Sequence, residues 1–336
     1  MINMKLCNSK FVNFMHSVNQ TFFQMQSAKL KVSGDFHHIY GFGEKYNSID
    51  HIGNVIENKV SDQFCNQNEK TYFPVPFFFM DNGIGVYIET RRVFIIKLEG
   101  QIEIDCSPLE DDFTLYVFTG TPKEMIMDFL ELSGETPLPP KWAFGPWMSG
   151  HRWNTQSLVE EALQNSKKHL LPFTSLVIEQ WSDEATFYIF NEAKYTPKEE
   201  VFKYEDFFFE KNAKWPNPKQ MIENIHNQGI KFILWQAPMI KELEPHEPKN
   251  LQSKLDQKQV VKLDLICKKS DGSIYKIPKG RWFPGSMIPD FSNPMMKEWW
   301  FSKRKYLLDI GVDGFKTDGG EFVYDDDLIF HSTLLG

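Results

Sequence analysis

The chain has 336 residues, of which 41% are hydrophobic and 15% aromatic, so it can fill the cores of about two globular domains. Its formal net charge of −8 and its pI near 5.7 argue against a nucleic-acid partner. No apolar run approaches the length of a membrane span, and the first residues lack the continuous apolar core of a signal peptide, so we expect a cytoplasmic protein without a membrane partner.

The first part of the chain has the pattern of an all-β domain. Short alternating or aromatic runs at residues 85–89, 94–98 and 113–118 are separated by turn signals, which predicts a β-sandwich. Pro122 then opens a short helix, and a proline-rich stretch follows. We therefore expect a β-sandwich domain over residues 1–134 and a second domain over residues 135–336.

The second part of the chain alternates predicted strands and helices. The predicted helices begin near Ser157, where Glu160 completes a capping box, near Pro218 and near Pro294. Two longer excursions cover residues 183–214 and 238–289, and the charged triplet at residues 303–305 is predicted to be a solvated helix face. The predicted strands cover residues 143–148, 174–181, 231–235 and 312–315.

Four such βα units make half of an eight-fold barrel, a fold that places its active site at the C-terminal ends of the strands. The fold class expected is therefore α/β plus β: a β-sandwich followed by the first half of a (β/α)8 TIM barrel. Because residues 330–336 end without a terminal cap or polar tail, we expect a fragment of a longer protein, truncated after the fourth strand.

The fourth predicted strand delivers a carboxylate into a glycine-flanked loop, in the run Lys316-Thr317-Asp318-Gly319-Gly320. Lys316 and Asp318 lie two residues apart and so share a strand face, and the two glycines let the backbone approach a ligand closely. A lone carboxylate in such a loop more often belongs to an ordinary strand-to-loop transition, so the surrounding motifs decide whether a catalytic role is indicated.

Several motifs upstream keep the same order as in a known family. These motifs are Gly41-Phe42-Gly43-Glu44-Lys45, Pro139-Pro140-Lys141-Trp142, Phe283-Pro284-Gly285 and Pro289-Asp290-Phe291. Together with the Lys-Thr-Asp run, they make the chain resemble glycoside hydrolase family 31, the retaining α-glycosidases that include α-glucosidases and α-xylosidases. The resemblance covers most of the chain.

The resemblance implies that Asp318 is the nucleophile of a double displacement on a terminal, non-reducing α-sugar. In that family the acid/base is a second Asp on the sixth strand, which lies beyond this sequence, so the chain alone is expected to be inactive. Lys316 stands where many glucosidases of the family have Trp, and an ammonium near Asp318 would favour the ionised carboxylate.

The remaining candidate residues would bind the sugar. Glu179, Gln180 and Trp181 lie where α-glucosidases of the family have an Asp-Ile-Asp-aromatic run, and Gln180 falls at the position of the second Asp. Trp181 has about even odds of being a core residue. Trp282 or Phe283 is expected to form an aromatic wall, with Trp147 and Trp235 as weaker candidates. The expected partner is thus an oligosaccharide or α-glycoside.

No cofactor or metal is expected, because no His and carboxylate cluster has metal-ligand spacing and no phosphate-binding glycine loop appears. The four cysteines form no C-x-x-C pair, which indicates neither a zinc site nor a disulfide framework. Within the family, α-glucosidase-like hydrolysis stands beside α-xylosidase, α-galactosidase and transglycosylase activity. A non-catalytic carbohydrate-binding protein or an inactive fragment also remains open, and the oligomeric state is not predicted.

Overall fold

A computed structural model describes residues 2–6, 14–26, 28–61, 67–90, 93–106, 113–134, 136–320, 322–325 and 327–331. The chain divides into two compact units, residues 1–137 and 138–336. Residues 62–66, residue Glu321 and residues 332–336 are among those that lie outside the described residues.

The first unit consists of two antiparallel sheets. Its strands are β1 (Ile2–Leu6), β2 (Phe14–Val18), β3 (Thr21–Gln26), β4 (Lys29–Ser33), β5 (Ile39–Gly43), β6 (Val55–Asn58), β7 (Pro74–Met80), β8 (Ile84–Glu89), β9 (Phe94–Leu98), β10 (Ile102–Asp105) and β11 (Phe113–Thr119). One sheet has the order β1-β11-β8-β7-β5, and the other has the order β2-β3-β4-β10-β9-β6. The strands expected near residues 85–89, 94–98 and 113–118 are confirmed as β8, β9 and β11.

The two sheets share one apolar core. Alternate residues of β8 and of β9, such as Val86, Ile88, Ile96 and Leu98, are buried in a single cluster that draws on both sheets. Period-2 alternation places such residues on one face of each sheet, so the unit is a sandwich. The helix α1 (Pro122–Ser133) follows, and the Thr121 side chain caps its first turn.

The second unit contains a parallel sheet surrounded by helices. Its strands are β12 (Trp147–Gly150), β13 (Ser175–Ile178), β14 (Lys231–Gln236), β15 (Lys268–Lys269), β16 (Gly314–Thr317) and β17 (Leu328–Ile329). Its helices are α2 (Gln156–Lys168), α3 (Pro218–His226), α4 (Leu251–Lys262) and α5 (Pro294–Asp309). The parallel sheet has the order β12-β13-β14-β16, as expected of the first strands of a barrel.

The strand register aligns the carboxyl ends of this sheet. Gly150 pairs with Ile178, Ile178 with Leu234, and Leu234 with Phe315. The residues that follow each of these positions therefore lie side by side at the same edge of the sheet. The sheet packs against α3 and α5 through a core that includes Ile222 and Leu307.

The opposite end of the sheet is fixed by Asp313, just before β16. Its carboxylate accepts hydrogen bonds from His226 Nε2 at 2.7 Å, Lys231 Nζ at 2.8 Å and the Phe232 N–H at 2.9 Å. Burial raises the pKa of Asp313, but the bonds from Lys231, Phe232 and His226 outweigh burial and the pKa lies below its ordinary value. One carboxylate thus joins α3, β14 and β16.

Some elements of the second unit lie at other positions than predicted. Residues Lys141–Phe144 form a 3₁₀ helix, and the first strand begins only at Trp147, because proline fixes φ near −65° just before this segment and favours a turn. The cap of α2 is Thr155, whose hydroxyl accepts from the Leu158 N–H, and not the predicted Ser157. Helix α4 was not predicted, because its buried face is largely polar, with Gln252, Ser253 and Asp256.

The predicted solvated triplet on α5 is mostly buried. Lys303 and Arg304 are 1% and 2% exposed, and only Lys305 extends into solvent, where it pairs with Asp309. Lys303 Nζ lies 3.3 Å from the Asp256 carboxylate and donates to the Glu199 carbonyl at 3.0 Å. Partners from distant segments therefore compensate the burial of both cations.

Three further expectations concern cysteines, metals and membranes. Cys106 and Cys267 are free and buried, and burial raises the pKa of each thiol to about 12; Cys7 and Cys65 lie outside the described residues. In the part of the chain that the structure describes, no group of three or more His, Cys, Asp or Glu side chains could hold a metal ion. Within the same residues, no helix has the length and apolar character needed to cross a bilayer.

Candidate active site

Polar and aromatic side chains gather where the four parallel strands end. The strand register sets Glu179, Trp235 and Lys316 beside one another. Each follows directly after a residue of the paired row Ile178, Leu234 and Phe315. Asp318 follows two residues after Lys316, directly beyond β16. The carboxyl end of the sheet therefore brings together residues that are far apart in the sequence, such as Glu179 and Lys316, which are 137 positions apart.

Asp318 is held by three hydrogen bonds. Its Oδ2 accepts from the Trp235 indole N–H at 2.8 Å, and its Oδ1 accepts from the Gly319 N–H at 3.0 Å. Its own N–H donates to the Gln236 carbonyl at 2.8 Å, which continues the ladder from β14. The side chain is partly exposed, so the carboxylate is fixed in direction and still reachable from solvent.

The loop after Asp318 needs glycine. Gly319 has φ +73° and Gly320 has φ +111°, a region that other residues rarely adopt. A Cβ on Gly319 would lie 2.5 Å from the ring of Phe322, whereas a Cβ on Gly320 would meet nothing within 4 Å. The chain can therefore turn sharply after Asp318 and keep the carboxylate at the strand end.

Lys316 pairs with Glu179 rather than with Asp318. Its Nζ lies 2.9 Å from Glu179 Oε1, which also accepts from the Ser149 hydroxyl at 2.7 Å. The Lys316 side chain is 45% exposed and that of Glu179 is 14% exposed. The donors to Asp318 are an indole and a backbone amide, so the expected influence of the Lys316 ammonium on the charge of Asp318 stays a prediction.

Gln180 and Trp181 separate into different environments. Gln180 Nε2 lies 3.3 Å from His151 Nε2 at the strand ends. Trp181 is completely buried, packs edge-on against Phe190 and donates its indole N–H to the Trp235 carbonyl at 2.8 Å. The expected sugar contact of Trp181 is thus not possible in this conformation, because no part of the ring reaches solvent; it supports Trp235 instead.

An aromatic wall stands beside Asp318. Trp282 is 47% exposed and stacks on Phe283, with ring centroids 4.5 Å apart. Its ring also lies 6.1 Å from that of Trp235 and 6.2 Å from that of Phe322. An exposed ring of this kind, backed by other rings, offers a flat apolar face to a ligand.

Lys241 is a residue of this region that sequence reasoning missed. Its ammonium lies 5.6 Å from the Phe283 ring centroid and 5.8 Å from that of Phe187, and it donates to the Glu184 carbonyl and the Glu247 carboxylate. A cation between two ring faces stabilises both, so Lys241 fixes the base of the aromatic wall. Nothing in the local sequence distinguishes it from a surface lysine.

Two other carboxylates near the strand ends have structural partners. Asp183 accepts from the N–H groups of Ala185 and Thr186 and from the Asn250 amide, which closes a turn after β13. Asp290 is 4% exposed and accepts from Ser292, so it is a buried carboxylate held within its own loop.

The site can therefore present one oriented carboxylate, an exposed ion pair and an aromatic face to a common ligand. Carboxylate, ammonium and hydroxyl groups bind sugar hydroxyls as donors or acceptors, and an aromatic face packs on the C–H groups of a sugar ring. A fixed carboxylate beside such a ring can also act as a nucleophile.

Two family profiles match the chain. The profile described as "Glycosyl hydrolases family 31 TIM-barrel domain" matches residues 136–331. The profile described as "Glycosyl hydrolase 31 N-terminal galactose mutarotase-like domain" matches residues 6–92. The two matches fall on different units of the structure.

Individual relatives agree with these matches. The isomaltosyltransferase of Sporosarcina globispora is 37% identical over 85% of this chain and 27% of its own length. The 1,3-alpha-isomaltosidase of Kribbella flavida is 34% identical over 87% of this chain and 41% of its own length. The cycloalternan-degrading enzyme from Trueperella pyogenes, solved in complex with a covalent intermediate, superposes with a TM-score of 0.83 at 32% identity, over 93% of this chain and 45% of that one. The chain thus spans less than half of the length of each of these relatives.

Proposed function

Because the chain belongs to glycoside hydrolase family 31, we propose that it is part of an enzyme that cleaves terminal α-glycosidic bonds by double displacement, with Asp318 as the nucleophile. The observation that carries this proposal is the setting of Asp318. Its carboxylate is fixed by the Trp235 indole and the Gly319 amide at the end of β16, and the exposed ring of Trp282 lies 6.1 Å from the ring of Trp235.

The proposed reaction has two steps. In the first, an Asp318 oxygen bonds to the anomeric carbon, the bond from that carbon to the leaving oxygen breaks, and the leaving oxygen takes a proton from a second carboxyl group. In the second, water or a sugar hydroxyl attacks the same carbon, gives its proton to that second group and releases Asp318. The anomeric configuration is therefore retained.

The second carboxyl group is proposed to lie outside these 336 residues. In retaining glycosidases the two carboxyl groups are about 5–5.5 Å apart. The carboxylates Glu179, Asp183 and Asp290 are engaged by Lys316, by turn amides and by Ser292 respectively. Because the relatives are more than twice as long as the stretch they share with this chain, the proposed activity is that of a longer protein.

The substrate proposed is an oligosaccharide of α-linked glucose, with an isomaltosyl unit as the group transferred. Support comes from two relatives whose names specify isomaltosyl groups, one a transferase and one a hydrolase. The Lys316–Glu179 pair would bind hydroxyls of the sugar next to Asp318, Gln180 a further hydroxyl, and Trp282 with Phe283 would stack on a ring. Transfer to a sugar acceptor is the second candidate, favoured by the relative named a transferase.

Covalent labelling tests the proposal. The full-length protein would be incubated with a fluorinated isomaltosyl or glucosyl fluoride and digested, and the labelled peptide identified by mass spectrometry. We expect an ester on Asp318, none in Asp318→Asn, and full labelling in Asp325→Asn, a control carboxylate that pairs with Lys269. A label on another residue, or a first product of inverted configuration by NMR, would contradict the assignment.

A product assay separates the substrate candidates. An α-1,3-linked isomaltosyl oligosaccharide should release isomaltose and not glucose. In the presence of an acceptor sugar, the fraction of transferred product measures transfer against hydrolysis. Release of glucose, xylose or galactose alone from matched aryl glycosides would point instead to the other specificities of the family.

A further inference from the structure

A chain of buried hydrogen bonds leads from helix α5 to the strand that carries Asp318. Arg304, on α5, is 2% exposed, and its Nε donates to Gln236 Oε1 at 2.6 Å. Gln236 is the last residue of β14 and is 6% exposed. A cation on a helix thus contacts the side chain at the end of the strand next to β16.

Gln236 forms two hydrogen bonds with the residues that lead into the Asp318 loop. Its Nε2 donates to Thr317 Oγ1 at 2.9 Å, and its carbonyl accepts the Asp318 N–H at 2.8 Å. A guanidinium group has only donors, so it requires the amide oxygen of Gln236 to face it. Arg304 therefore orients the amide so that its NH₂ group faces Thr317.

Arg304 is itself fixed by aromatic residues. Its guanidinium carbon lies 3.4 Å from the ring centroid of Trp300, and its Nη1 donates to the Trp300 carbonyl at 3.2 Å. The ring of Tyr188 lies 5.7 Å from the same carbon. A planar guanidinium stacked in this way has little freedom to move.

The adjacent buried cation makes different contacts. Lys303 pairs with Asp256 and donates to the Glu199 carbonyl, and neither partner belongs to the parallel sheet. Both cations lie on α5 and are equally buried. Lys303 therefore serves as a matched control for the structural effect of removing a buried charge.

We propose that Arg304 is a positioning residue for the nucleophile: acting through Gln236 and Thr317, it sets the backbone that aims the Asp318 carboxylate. The catalytic consequence rests on the proposed function. The geometric consequence does not, because it concerns only the place of Asp318 relative to Trp235.

Two variants of the full-length enzyme test the catalytic consequence. In these tests kcat is counted per active site that can be labelled. Arg304→Met should lower this kcat by about 10- to 100-fold and change KM by less than about three-fold. The reason is that misplacing a reacting group by about 1 Å lowers the rate by up to about 100-fold. Lys303→Met should lower the unfolding temperature to a similar extent and leave kcat per labelled site unchanged. Equal losses of kcat in both variants would show that Arg304 is merely structural.

Milder variants cover the case in which Arg304→Met does not fold. Thr317→Val removes the acceptor at the exposed end of the chain of bonds, and Gln236→Glu removes the NH₂ donor. Each variant should lower kcat by a larger factor than it changes KM. In the double variant, Thr317→Val should lower the kcat of Gln236→Glu by a smaller factor than it lowers the kcat of the wild-type protein. Full additivity, or an unchanged kcat in both, would overturn the proposal.

A spectroscopic readout distinguishes failure of this inference from failure of the proposed function. The ¹⁵N indole resonance of Trp235, assigned with Trp235→Phe, reports its bond to Asp318 whether or not any sugar is turned over. It should shift in Thr317→Val and Gln236→Glu and stay in place in Lys303→Met. An unmoved resonance in the first two would refute the positioning role, whereas failure of the wild-type protein to label at Asp318 would refute only the proposed function.

Discussion

Replacing Trp235 with phenylalanine is expected to lower kcat/KM by about 10- to 150-fold. The substitution keeps an aromatic ring between Phe187 and Trp282, whose centroids lie 5.3 Å and 6.1 Å away, and removes the N–H that donates to Asp318 at 2.8 Å. A hydrogen bond to a charged group contributes about 1.5–3 kcal/mol, and about 1.4 kcal/mol corresponds to a factor of ten in rate. The range of the loss follows from these two values.

The assay would measure the rate of Asp318 labelling and the steady-state kinetics of the full-length protein. Trp215→Phe is the matched control, because Trp215 is another buried tryptophan and packs against Phe190 in the core of the second unit. It should change stability without changing the labelling rate. A Trp235→Phe protein that is folded and labels within about two-fold of the wild-type rate would refute the view that the indole positions the nucleophile.

Three further changes test other parts of the second unit. Lys316→Met and Glu179→Gln should each raise KM about ten-fold. Lys316→Met should hardly change the unfolding temperature, because the lysine is 45% exposed and a pair with an exposed partner contributes less than about 1 kcal/mol; a large loss of stability with unchanged KM would make the pair structural. Gly319→Ala should lower both stability and activity more than Gly320→Ala, since only the first adds an atomic clash to the cost of about 1–2 kcal/mol for a left-handed residue; equal effects in thermal melts and kinetics would contradict this. Asp313→Asn should destabilise the protein by about 1–3 kcal/mol at neutral pH. Because the folded pKa of Asp313 lies below the ordinary value of 3.8, this stabilisation is complete above that value and is lost as the pH falls through the folded pKa, so the wild-type and variant unfolding curves should converge in acid.

Local sequence signals predicted the elements that carry Asp318. Helix α5 was predicted to begin near Pro294 and is confirmed from Pro294 to Asp309, because a cap, a proline and a terminal glycine act within a few residues of the helix ends. The strand before Asp318 was predicted within two residues of its observed place. These signals depend on neighbours in the sequence, so the sequence is enough to find them.

Burial of charge could not be predicted in the same way. Lys303 and Arg304 belong to a charged triplet of the kind usually found on solvated helices, and their partners Asp256 and Gln236 come from other segments. Helix α4, which supplies Asp256, was itself missed because its buried face is polar. An amphipathic pattern identifies apolar faces and gives no signal for a polar face that is satisfied by hydrogen bonds.

The two tryptophans at the strand ends show why register matters. Trp181 and Trp235 both follow buried strand residues, and the sequence favoured Trp181 as a ligand contact. The chain after β13 turns back, with the Asp183 N–H bonded to the Ile189 carbonyl, so that Trp181 is covered. The register of β14 against β16 instead sets Trp235 beside Lys316, within reach of Asp318. Which of the two contacts Asp318 depends on strand pairing, and one sequence does not give that pairing.

Two pairs of polar residues at the carboxyl end of the sheet should affect the kinetics differently when they are changed. Lys316 and Glu179 make a pair that is exposed at its lysine, which is 45% exposed, and largely buried at its carboxylate, which is 14% exposed and keeps the Ser149 hydroxyl as a donor when the lysine is replaced; a change in either residue should act on sugar binding. Arg304 and Gln236 are buried, so neither water nor sugar reaches them, and a change in them acts on geometry. If Asp318 is the nucleophile, variants of the Lys316–Glu179 pair should therefore alter KM and variants of the buried pair should alter kcat, a division that a general loss of stability would not produce.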